Sequence, residues 1–149
     1  RKMPGLRSTY YWEKSPEFSP FFRARQRGRL RPPIYGIPMY DLYASVAVGL
    51  NVHADSSPIY ASNRRLWEVT GCGGCLVTEA HANVGSHFDI GREVVVYESM
   101  AECGEKLRWL LAHDQQRRDI ARSGQERTLQ DHTYKARTEK LDRIIKELL

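Results

Sequence analysis

Cysteine is scarce. The 149 residues hold three, an odd number too small for a disulfide framework, so a reducing, cytoplasmic setting is expected. Long apolar runs are absent as well. The longest uncharged stretch in the most apolar region, Leu42 to Ala54, is 13 residues long and contains Asn51 and His53, short of the roughly 18 that a membrane span needs. A soluble chain with no membrane span is therefore expected. Behind Arg1-Lys2-Met3-Pro4 no apolar run of signal-peptide type follows, which argues against secretion, and a start on Arg suggests a piece of something longer. No internal repeat or low-complexity tract is visible. What remains is ordinary: 41% apolar and 28% charged residues exclude wholesale disorder, and the length allows one domain but not two.

The net charge of +5 is unevenly spread. Residues 1–34 carry nine basic and two acidic side chains, whereas residues 35–149 carry 14 and 16. The first segment also holds Pro4, Pro16, Pro20, Pro32 and Pro33 among several aromatics, and reads as irregular. Within it Arg23, Arg25, Arg27, Arg29 and Arg31 alternate, which would put all five on one side of an extended strand. Such a run suits phosphate contacts with nucleic acid, but a solvated face or a surface against another domain is the preferred reading. Nucleic acid is not expected as a partner.

From Ile34 onward, strand-like and helix-like pieces alternate, the signature of an α/β fold with a parallel sheet. Met39 to Ser45 predicts a short helix, and Val46 to His53 a largely apolar, buried strand. Asn63 to Cys72 predicts a helix ended by Gly71, Gly73 and Gly74, and Cys75 to Thr78 a buried strand. Val94 to Tyr97 predicts another. Ser99 with Glu102 forms a capping box for a helix to about Ala112. Asp114 is a candidate cap for the next helix, to about Gln130. Thr133 is the candidate cap for a last helix, where Tyr134, Leu141, Ile144, Ile145 and Leu148 recur at helical spacing.

Five blocks stand in a distinctive order: Pro33-Ile34-Tyr35-Gly36, Leu50-Asn51-Val52-His53, Arg65 through Glu79, Gly91 through Tyr97, and His132-Thr133-Tyr134. In order and spacing, residues 32–149 resemble the C-terminal part of group-one glycosyltransferases, the subset with the CgeB-like spore-maturation proteins. The resemblance implies a Rossmann-like parallel sheet with flanking helices and a helical C-terminal tail. This would be the second, donor-binding half of a GT-B fold, following a basic, irregular segment over residues 1–31. It implies transfer of a sugar from a nucleotide-sugar donor to an acceptor that the sequence does not name. The missing N-terminal domain would be a partner, a homodimer would cover the bare sheet edge, and the donor is a substrate, so no cofactor is expected. The alternative is a non-catalytic interaction or nucleic-acid-binding module on the same scaffold.

In the similar transferases the glutamate at Glu68 receives the donor ribose hydroxyls, and a carboxylate does offer the fork of acceptors that a vicinal diol fills. A second glutamate of the wider superfamily, eight residues earlier, is Tyr60 here. Arg65 matches the family pattern, and a guanidinium suits a diphosphate. Asn63, at the predicted helix start, and His53, at the carboxyl end of a strand, complete the binding candidates. Arg64 is expected to be a plain solvated arginine. No catalytic group is assigned.

Cys72-Gly73-Gly74-Cys75 has two readings. With His81 and His87 following at close range, it could be a redox pair or half of a zinc site. The two glycines suit a tight turn, however, and the spacing matches no zinc module. A turn with no metal site is therefore expected, with Cys103 a buried helix residue.

Overall fold

The computed structural model describes residues 34–53, 59–61 and 63–149. The first segment, residues 1–31, and its alternating arginines lie outside the described residues. Two units are distinguished, one ending at Met39 and the other comprising Tyr40–Leu149. The Met39 amide donates to the Gly36 carbonyl at 3.0 Å and opens helix α1 (Ile37–Ser45), which begins in the first unit and continues in the second. Pro38 falls in the opening turn, where its missing N–H would have had no helical partner anyway. The helix therefore starts two residues before the expected Met39.

The second unit is built on three parallel strands, β1 (Val48–Asn51), β2 (Cys75–Glu79) and β3 (Val95–Tyr97), in the spatial order β1-β2-β3. Leu50 pairs with Val77 and Val77 with Val95. Helix α2 (Arg65–Gly71) joins β1 to β2, and one turn of helix, α3 (Val84–His87), lies between β2 and β3. Three helices follow: α4 (Met100–Ala112), α5 (Asp114–Asp131) and α6 (Tyr134–Leu148). The fold is α/β, a parallel sheet with flanking helices and a helical C-terminal tail, as the sequence pattern implies. No described helix is long and apolar enough to cross a membrane.

Strand alternation divides the core into two layers. Leu76 of β2 points into one with Leu66 and Val69 of α2, Val84, Phe88 and Val94. Cys75 and Val77 point into the other, against Cys103 and Leu110 of α4, with Ile120 and Ala121 of α5 partly covered. Each fully buried Leu or Val contributes roughly 1.5–3 kcal/mol over leaving it in water. Central β2, buried from Cys75 to Thr78, is thus the strand that holds both layers.

The expected eight-residue strand Val46 to His53 is corrected to four residues. Its partner β2 begins only at Cys75, opposite Val48, because Gly73 turns the chain there at φ 80°, a left-handed conformation that favours glycine. Nor is β1 buried throughout, since Leu50 is 43% exposed.

Capping follows the sequence in two places out of three. Ser99 accepts the Glu102 amide at 3.2 Å, and Thr133 accepts the Ala136 amide at 3.2 Å. The Glu102 carboxylate reaches one residue further back than the capping box predicts, to the Glu98 amide at 2.7 Å. Asp114 is not a cap. It is the first residue of α5, and its carboxylate is drawn to Arg117 and Arg118 on the following turn. Beside β3, Lys106 of α4 donates to the Val96 carbonyl at 2.6 Å and pairs with Glu102.

Candidate functional site

Parallel strands end on the same side of a sheet, and polar residues gather where these three end. Asn51 closes β1 fully buried, and its groups are all engaged. Its side-chain oxygen accepts from the Asn63 amide at 2.8 Å, its own amide donates to the Thr78 hydroxyl at 3.0 Å, and its carbonyl accepts from the Tyr97 hydroxyl at 3.3 Å. Burial without partners would cost each such group a few kcal/mol, so the cluster fixes the strand ends relative to one another. Asn63 Oδ1, itself buried, has no donor among the described residues.

Two residues past Asn51, the His53 backbone amide donates to Glu79 Oε2 at 2.6 Å, and its ring Nδ1 lies 3.2 Å from the same oxygen. The His53 side chain is 3% exposed and that of Glu79 31%. His81 packs on His53 with ring centroids 4.1 Å apart, and its Nδ1 lies 3.3 Å from the Glu79 carbonyl. Burial, then the neighbouring His81, holds His53 below the ordinary imidazole value, against the pull of Glu79. Glu79 and His81 also line a shallow hollow of about 440 Å³ with Tyr97, Glu98 and Met100.

A second hollow, of about 410 Å³, lies among α2, α5 and the start of α6. Glu68 lines it with Tyr40, Arg64, Trp67, Cys72, His132, Tyr134 and Arg137. The Arg137 guanidinium sits 4.2 Å over the Trp67 ring, a cation–π contact, and Trp67 Nε1 is buried with no acceptor among the described residues. Burial, then Glu68 and Asp41, raises the Cys72 thiol.

The structure therefore sorts three of the four candidates from the sequence into two places and leaves Arg65 beside Tyr43. His53 and Asn63 meet at the strand ends, through Asn51. Glu68 lies in the second hollow. Arg65 donates from Nε to the Tyr43 hydroxyl at 3.3 Å, and its charge also acts on His53. Arg64, expected to be merely solvated, is exposed yet lines the hollow with Glu68. Cys72 and Cys75 flank the Gly73 turn as free thiols and part company there, Cys72 lining the hollow and Cys75 buried in the core on α4.

Glu79 was missed by the sequence reading. The signal was present, since the rule that singles out His53 at the end of one strand applies equally to the residue after Cys75-Leu76-Val77-Thr78.

No curated protein and no solved structure matches the chain. A family model described as glycosyl transferase-like matches residues 5–143, nearly the whole sequence, and the chain belongs to that glycosyl transferase-like family.

Proposed function

We propose that the chain is the donor-binding half of a two-domain GT-B glycosyltransferase of the CgeB-like subset, holding the nucleotide of a nucleotide-sugar donor. The observation that carries this reading is the company Glu68 keeps in the 410 Å³ hollow, a size within the ordinary range for small-molecule sites. Tyr134 offers an exposed flat face for a base, the Glu68 carboxylate offers paired acceptors for the ribose diol, and Arg64 offers a cation for a diphosphate. The family match supports a role in sugar transfer. It lends no support to the non-catalytic or nucleic-acid-binding alternative. On this reading the acceptor surface and the catalytic group come from a further domain, and this half grips the donor without a cofactor.

Calorimetric titration with UDP, GDP and ADP tests the reading. One of the three should bind, and Glu68→Gln should weaken it by about 1–3 kcal/mol, the range for a hydrogen bond to a charged group. Affinity unchanged by that substitution would remove Glu68 from the site, and no binding of any nucleotide would remove the hollow.

A further inference from the structure

We infer that His53, Glu79 and His81 form a binding site for a divalent transition-metal cation of the zinc class. One ligand atom from each lies within 4.8 Å of the other two, on the ends of adjacent parallel strands. A cation bonded to nitrogen and oxygen at about 2.0–2.2 Å in tetrahedral geometry needs its ligand atoms roughly 3.3 Å apart. His53 Nδ1 and Glu79 Oε2 already stand at 3.2 Å. The His81 ligand atom lies within 4.8 Å of both, on a ring that is only half-buried.

Proximity alone is common among surface acids and histidines, but here the groups behind the ligands are in place too. His81 Nδ1 lies 3.3 Å from the Glu79 carbonyl, and donating its hydrogen there leaves Nε2 with a free lone pair. That backbone partner is the one metal-bound histidines commonly use to fix tautomer and ring orientation. The Glu79 carboxylate is held in turn by the His53 backbone amide at 2.6 Å. Two imidazoles and one carboxylate make a borderline-soft donor set, which suits zinc, cobalt or nickel better than calcium or magnesium.

Three protein ligands leave at least one coordination position for water or an anionic oxygen, the pattern of an open site rather than a closed structural one. The site is distinct from the Cys72–Cys75 pair, since neither thiol is among its ligands. It also stands apart from the nucleotide reading of Glu68, because the metal can be tested with no nucleotide present.

The test is a titration of the chelator-treated chain with Zn²⁺ by calorimetry, and with Co²⁺ by visible absorption, which reports nitrogen and oxygen ligation directly. One equivalent should bind, and His81→Ala and Glu79→Gln should each weaken binding at least ten-fold, while Cys72→Ser with Cys75→Ser leaves it unchanged. His81 contributes little to the core, so His81→Ala remains informative if Glu79→Gln fails to fold. Substoichiometric binding, undiminished affinity in His81→Ala, or loss of binding in the double serine variant would each overturn the assignment.

Discussion

The hydroxyls of Thr70 and Thr128 meet at 2.7 Å, buried between α2 and α5. Thr70 also lies 2.7 Å from the Leu66 carbonyl, to which its single hydrogen must go, so Thr128 is the donor between the two threonines. The two substitutions to valine are therefore unequal. Thr128→Val leaves Thr70 still bonded to Leu66 and should cost about 0.5–1.5 kcal/mol. Thr70→Val strands the Thr128 hydrogen in the interior and should cost about 1–3 kcal/mol. Urea denaturation of both variants measures the difference, and a larger loss in Thr128→Val would reverse the assigned direction of the bond.

Two helical glycines should respond oppositely to alanine. A Cβ on Gly124 of α5 would stand 2.4 Å from the Glu93 carbonyl oxygen, a backbone atom that cannot swing aside. Overpacking of that kind costs about 1–3 kcal/mol and should outweigh the gain of about 1 kcal/mol in helix propensity. On Gly104 of α4 the new Cβ would meet only the end of the Arg108 side chain, at 3.6 Å. Gly104→Ala should stabilise by about 0.5–1 kcal/mol while Gly124→Ala destabilises, both read from thermal midpoints.

Acid should weaken the seam between α3 and the α5–α6 junction. His132 Nε2 lies 3.1 Å from the His87 carbonyl, and the two rings pack edge to face. Burial lowers both from the ordinary 6.5. For His87 the charges of His132, Arg137 and Lys140 add to this, and for His132 those of Arg137 and Arg127 do, partly offset by the His87 carbonyl and Asp131. With folded values below unfolded ones, the unfolded chain binds more protons in this window. The stabilisation is complete above about 6.5 and is lost as pH falls through the lower folded values. Melting temperature should drop between pH 7 and pH 5, and His132→Gln should flatten that slope.

Thiol reactivity should separate the cysteines. Burial pushes Cys75 up to about 11, so at pH 8 only about one thiol in a thousand is ionised. Burial raises Cys72 as well, but its side chain is only partly covered. A disulfide reagent should modify Cys72 first and reach Cys75 and Cys103 only on unfolding. Fast modification of two thiols in the folded chain would contradict the placement of Cys75 in the core.

Much of this fold was legible because local rules and packing agree. Ser99 and Thr133 cap as their side chains demand, and Gly73 turns where a left-handed residue is needed. The failures have physical reasons. Asp114 reads as a cap, yet a carboxylate is equally at home inside a first turn, where the helix dipole and two nearby arginines favour it. The apolar positions of α6 gave its helical period correctly, but period does not say what covers a face: Leu141, Ile144 and Ile145 remain about half exposed. The short α3 has too few residues to show any period. As for the site, the family resemblance brought Glu68 to notice and a strand end His53, whereas only the register of β1 on β2 sets His53 beside Glu79.

The Glu102–Lys106 pair closes the β3 side of the sheet. The Tyr97 carbonyl faces β2, where it accepts the Ala80 amide, so the Val96 carbonyl and the Glu98 amide point outward. Lys106 takes the first and Glu102 the second. A further strand arriving at β3 would have to strip away both partners before it could bond. A strand seeking the sheet through β3 therefore meets a margin that side chains have already closed.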